Sequence, residues 1–220
     1  MTKTVEIQNN DDLAFFGKVN ASISHELKNI LAIISEAAGL LNDLTEMAAN
    51  GKDIDLNMLR SCSRDIVEEI QRGFSTIKQM NTFSHSVDDP FKSVNLTEVL
   101  QLMIDLAGFL SIACRVRLDP PPQDLPAVLT CPFRLQNLFY QALVFAFESA
   151  GPEAEIQVAV QPEPGGRIRI TFSGLGSGHD RSFPSDRTLR IADSIGVEIR
   201  VSADFQQVHI TVPEAIEGMA

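Results

Sequence analysis

SHELKN, residues 24–29, decides how the first third of the chain is read. All six residues tolerate a helix interior, and the apolar residues around them recur at helical spacing. Leu13, Phe16, Ile23, Leu27, Ile30, Ile34, Ala37, Leu41 and Leu44 follow steps of three and four, with Asn20 as the one polar member of the seam. That pattern predicts a long amphipathic helix over 11–49 with coiled-coil-like packing. Asn50-Gly51 predicts its end, because both residues tolerate positive φ. With Leu27 and Ile34 at a positions, His25 falls at f and points away from the seam. Asn29 lies one turn further along the same face, and Ser22 one turn back. Glu26 follows His25 directly, about 100° around the helix. A carboxylate there can orient or deprotonate the imidazole and raise its nucleophilicity. An amide at i+4 can hold a water or an incoming phosphoryl oxygen. A lone histidine on a wet helix face is ordinarily inert, so the weight falls on context.

A second apolar run follows: Leu59, Ser63, Ile66, Ile70, Gly73, Ile77 and Met80, flanked by Val67, Phe74 and Phe83. It ends near Asp88-Asp89-Pro90. Two helices of roughly 35–39 residues, each about 50–60 Å long, predict an antiparallel hairpin. Such a hairpin has one apolar stripe per helix and little of its own to bury it on. The expected solution is a second copy of the chain, giving a four-helix bundle across a homodimer axis. Cover by the C-terminal half is the alternative.

Composition bounds the rest. The chain has 220 residues and 44% hydrophobic content, with 13 Phe and no Trp, enough for a true core. Its formal net charge of -11, with dispersed Lys and Arg, argues against a nucleic-acid partner. Residues 1–12 lack an apolar signal-peptide core. The most apolar helical stretch, Ile30 to Leu44, is broken by Ser35, Glu36, Asn42 and Asp43, so no membrane span is expected. A soluble cytoplasmic protein is expected. Cys62, Cys114 and Cys131 are far apart and read as reduced core thiols.

The second half alternates helix and strand. Phe91 to Val94 reads as a short linker, and Asn95 to Glu98 as a capping-box-like start of a helix to about Ile112. Strands are predicted at 114–118, 127–130, 155–160, 167–172, 197–202 and 206–212, and helices at 132–149 and 185–194. The fold class is α+β: a helical hairpin domain over 1–90, then helices on one face of a mixed sheet over 91–220. His85, His179 and His209 read as a solvated, a loop and a strand histidine. None is spaced with acids as a metal site would require.

"FFGKVNASISHELKNILAIISEAAGLL", residues 15–41, resembles the H-box of sensor histidine kinases, whose dimerisation and phosphotransfer domain is a helical hairpin of this kind. The family pattern S-H-E-[LI]-[KRN]-[NT]-P-L is matched by Ser24 through Asn29 and by Leu31. Ile30 stands at the family's proline. The resemblance implies His25 as phosphoacceptor and Glu26 as its acid/base partner. It puts Asn29 at the position that places water when such proteins dephosphorylate a receiver.

The second half is similar to the ATP-binding domain of the same family, of the GHKL type, but lacks its chemistry. Aligned through Arg134, Leu135 and Leu138, the N-box places Gln141 and Phe145 where the family has asparagines, the second of which holds Mg²⁺ on the nucleotide. Phenylalanine has no lone pair for a hard cation. The D-x-G-x-G box reads Gly174-Leu175-Gly176-Ser177-Gly178, without the aspartate that recognises adenine. Only His179 to Arg187 fill the space of the ATP lid, and the phosphate-cradling glycines after it are missing. The resemblance thus implies a histidine-kinase-like α/β sandwich without an ATP lid, cofactor or metal of its own.

The implied function is a phosphorelay histidine phosphotransferase of two-component signalling. Its partner would be the receiver domain of a response regulator, which brings its own Mg²⁺. Three alternatives stay open: a divergent ATP-dependent histidine kinase, a receiver phosphatase working through Glu26 and Asn29, and a non-catalytic pseudokinase adaptor.

Overall fold

The computed structural model describes residues 2–108, 114–122, 125–151, 153–176 and 183–214, with side chains from Asn10 onward. Two compact units emerge, Asn20–Thr82 and Met1–Val19 with Phe83–Ala220. The helix α1 (Thr2–Ala49) starts well before the expected residue 11 and contributes to both.

Within Asn20–Thr82, α1 and α2 (Leu56–Ser84) form the predicted hairpin. The end of α1 falls where Asn50-Gly51 requires. Gly51 adopts φ 73°, and the amides of Asn50, Gly51 and Lys52 donate to the carbonyls of Glu46, Ala48 and Met47. Asp55 opens α2 by accepting the Asn57 N–H at 2.8 Å. On α1 the seam runs as expected, with Ile23, Ile30 and Leu44 buried and Leu27, Ile34, Ala37 and Leu41 half-buried, and Glu26 joins it. On α2, Cys62 and Thr76 are buried, and Ile70 and Ile77, expected inside, are exposed together with Val67 and Phe74. A straight helix at 3.6 residues per turn drifts against a strict heptad, so apolar spacing alone leaves the facing side ambiguous where two stripes run side by side.

The second unit gathers the first turns of α1 and the mixed half. Phe15 is 1% exposed. Its ring lies edge-on to Phe83 at 5.5 Å and tilted against Phe133 and Tyr140 at 5.2 and 5.3 Å. Phe16 stacks on Phe83. Leu13, expected in the seam, is 70% exposed, because this part of α1 turns Phe15 and Val19 inward instead. Ion pairs flank the contact. Arg134 meets Asp12 at 3.7 Å, and Arg187 and Arg190 meet Asp11 at 3.4 and 3.5 Å. Burial pushes the Asp12 carboxyl above its ordinary value, against the pull of Arg134.

After a 3-10 turn at His85–Val87, the segment read as a linker is in part a strand. β1 (Lys92–Val94) pairs antiparallel with β3 (Val128–Thr130). Three residues are too short for a period-two signal to register. Helix α3 (Leu96–Gly108) is capped by Asn95, whose side chain accepts the Thr97 N–H at 2.9 Å; its expected continuation to Ile112 lies outside the described residues. β2 (Arg115–Leu118), β4 (Glu155–Glu163), β5 (Arg167–Ser173), β6 (Glu198–Val201) and β7 (Gln207–Pro213) form one sheet in the order β2-β4-β5-β7-β6. The β2–β4 pair is parallel and the others antiparallel. Register aligns the apolar residues in rows across the strands: Val158, Phe172, Val208 and Val201, then Val160, Ile170, Ile210 and Ile199. The opposite face carries Gln157, Gln161, Arg169, Arg200 and His209, so one face is dry and one wet. β4 runs past the expected stop, through Pro162. There β2 has already ended, and the missing N–H of proline falls at a free edge. Helices α4 (Pro132–Ser149) and α5 (Asp186–Ser194) complete the helical layer. All three cysteines are free, but only Cys62 is fully buried.

Phe15→Ala removes a ring that three others enclose. Urea unfolding should show a loss of about 3–5 kcal/mol.

Candidate functional site

His25 is exposed, on the face of α1 that the sequence assigned to it. Asn29, also exposed, reaches it. Asn29 Nδ2 lies 3.3 Å from His25 Nδ1. The i,i+4 geometry of the helix brings the two together, as their spacing requires. Nδ1 is thereby engaged, and which ring nitrogen carries the proton follows from which end of the Asn29 amide faces it.

Glu26 stands elsewhere than the sequence suggested. Its carboxylate is not turned to the imidazole. The residue is 6% exposed and faces α2, where Arg72 Nη2 donates to Glu26 Oε1. The other arm of the same guanidinium, Nη1, holds Glu69 at 3.0 Å, so Arg72 bridges two carboxylates from two helices. Burial alone would lower the Arg72 guanidinium. The hydrogen bond and charge of Glu26, with those of Glu69, outweigh it and hold the group above its ordinary value. Sequence reading missed Arg72. The signal available was weak: an arginine beside the α2 seam at a height that an antiparallel hairpin places opposite residue 26.

The positions matched to the nucleotide site are filled by packing. Phe145 is 6% exposed and stacks on Phe183, centroids 4.3 Å apart and planes at 8°. Gln141 donates to Asn137 Oδ1 at 2.9 Å and accepts from Thr188 Oγ1 at 2.6 Å, which ties α4 to the start of α5. Ser185 caps α5 and accepts the Thr188 N–H. Gly174 has φ 86°, and a Cβ there would collide with the Glu155 carbonyl oxygen. The Gly176 amide donates to Ser149 O at 3.0 Å. Both glycines therefore serve a backbone turn against neighbouring strand and helix. Gly178 and His179 lie outside the described residues.

Of the other histidines, His85 is exposed and bonded to Asp88 at 2.7 Å. His209, on the wet face of the sheet, meets Thr171 Oγ1 at 3.2 Å. Burial, then the charge of Arg169, lowers its imidazole below the ordinary value. Among the described residues, no cluster of three or more His, Cys, Asp or Glu could hold a metal ion, and no helix is long and apolar enough to cross a membrane.

No protein-family model matches the chain, and no curated protein sequence matches it. Solved structures similar to it include the mycobacterial sensor histidine kinase MprB, at 17% identity and TM-score 0.45, over 56% of this chain and 96% of that one. The Acinetobacter baumannii histidine kinase AdeS is similar at 9% identity and TM-score 0.46, over 80% of this chain and 92% of its own. A bacterial phosphotransferase is similar at 14% identity and TM-score 0.43, over 90% of this chain and 95% of its own.

Arg72→Met leaves the buried Glu26 carboxylate without its partner. Because Arg72 is itself half in water, the expected loss in urea unfolding is about 1–3 kcal/mol, and adding Glu26→Met should recover most of it.

Proposed function

We propose that the chain is a homodimeric histidine phosphotransferase of two-component signalling that works without ATP. His25 takes the phosphoryl group from the aspartyl phosphate of one response-regulator receiver domain. It holds the group as phosphohistidine and passes it to the aspartate of another. The observation that carries this reading is the exposed His25 ring with Nδ1 engaged by Asn29. That arrangement fixes the ring on a rigid helix and offers one nitrogen outward. The SHELKN string that resembles the histidine-kinase H-box supports the same reading. The receiver brings its own Mg²⁺, so none is required from this chain.

The Phe145–Phe183 stack supports ATP independence. An aromatic pair fills the place of a metal-binding amide, and Gln141 spends both ends of its amide on protein partners. The uncovered stripe on α2 supports the dimer. Val67, Ile70, Phe74 and Ile77 repeat at three, four and three residues and are 41–65% exposed in the single chain. A sustained seam at that spacing is what a second hairpin covers. The receiver-phosphatase reading draws on the same Asn29 and differs in needing no phosphohistidine.

The decisive experiment offers the full chain a phosphorylated receiver and, separately, labelled ATP. Acid-labile label should reach His25 from the receiver alone and vanish in His25→Gln. Labelling from ATP would replace this reading with a kinase. Loss of receiver phosphate that persists in His25→Ala but not in Asn29→Ala would replace it with a phosphatase. Sedimentation equilibrium tests the assembly: the wild type should run at twice the chain mass, and Phe74→Glu should shift it toward a single chain while helicity is kept.

A further inference from the structure

Transfer between a carboxylate and an imidazole sets its own requirement for the proton on the ring. When a neutral imidazole attacks an acyl phosphate, the N–P bond forms and the P–O bond to the carboxylate breaks. The carboxylate leaves with that electron pair. The ring then carries the phosphoryl group on one nitrogen and its original proton on the other, and so bears a positive charge. The two charges of the acyl phosphate end as one on the released carboxylate and a net one on the phosphorylated ring. Onward transfer to a second carboxylate reverses these steps and restores the same neutral tautomer. No proton moves in either direction, so no general base is needed. What is needed is that the proton stay on the nitrogen that does not attack.

Asn29 meets that need in one orientation of its amide. With Nδ2–H donated to Nδ1, the ring proton sits on Nε2 and that nitrogen cannot attack. A 180° turn of the amide exchanges Oδ1 for Nδ2 at the same 3.3 Å contact. Oδ1 then accepts the Nδ1–H, and Nε2 keeps its lone pair. An amide oxygen holds this proton without removing it. A carboxylate in the same place would stabilise the charged, phosphorylated ring and slow its release of the phosphoryl group. The carboxylate next in sequence, Glu26, is buried and gripped by Arg72, which Glu69 holds in turn.

We propose that Asn29 is a positioning residue for phosphotransfer, its side-chain oxygen holding the Nδ1 proton of His25 so that Nε2 attacks, while Arg72 withholds Glu26 from that contact. The assignment rests on the phosphotransfer reading above and deepens it.

The test uses the full chain labelled with ¹⁵N-histidine, with His25 assigned by comparison with His25→Gln. Proton–nitrogen correlations at a pH well above the histidine range report which ring nitrogen is protonated. Nδ1–H is expected in the wild type and in Asn29→Asp, and a mixture of tautomers in Asn29→Ala. With a phosphorylated receiver as donor, Asn29→Ala should slow labelling of His25 on the order of tenfold or more. Asn29→Asp should still be labelled but release the group more slowly to an unphosphorylated receiver. A wild-type ring protonated on Nε2, or an Asn29→Ala ring with unaltered tautomer, overturns the proposal even if His25 is labelled normally. The expected ring pattern with no labelling of His25 by any phosphorylated receiver instead overturns the phosphotransfer reading, and the proposal with it.

Discussion

The pairing of Glu26 with Arg72 fixes which way the first helix faces. An α-helix is a rigid screw, so holding one residue against a neighbour sets the direction of every other. With Glu26 turned into α2, residue 25 must lie about 100° away and residue 29 must return to the face of residue 25. The exposure of His25 and its contact with Asn29 are consequences of that rotation. An apolar residue at position 26 would supply burial but not direction. A charged pair is selective because a carboxylate left inside without its partner is costly, whereas apolar side chains slide past one another at little cost.

The same logic separates the hairpin's two stripes. Ile23, Ile30, Leu44 and Cys62 lie inside, whereas Val67, Ile70, Phe74 and Ile77 lie outside. The hairpin thus commits one stripe to its own seam and leaves another bare. In the proposed dimer the bare stripe becomes the second seam. Each helix then touches two neighbours, the condition under which a bundle of long helices becomes stable.

In the mixed half, the positions that the sequence aligns with a nucleotide site hold packing contacts. Phe145 stacks on Phe183, Gln141 joins Asn137 to Thr188, and Gly174 permits a close approach to Glu155. Both ends of the Gln141 amide are satisfied by protein partners. The one dry face of the sheet depends on period-two apolar rows, which these positions do not touch.

Much of this was legible in the residues alone. Period determined the elements: α4 and the strands fell where hydrophobic spacing put them, within the extra turn or residue that capping and pairing add. The i,i+4 spacing of His25 and Asn29 is a local relation, fixed by helix geometry wherever the helix goes. What spacing could not decide was which of two adjacent stripes on α2 faces inward, because Ile70 and Ile77 are at least as apolar as Cys62 and Thr76, which are the buried ones. Nor could it place β1, whose three residues acquire a meaning only beside β3. The Glu26–Arg72 pair joins residues 46 positions apart, and it forms only once both helices have been laid side by side. Charge partners at that distance are chosen by the tertiary fold, because their worth depends on the burial that the fold itself creates.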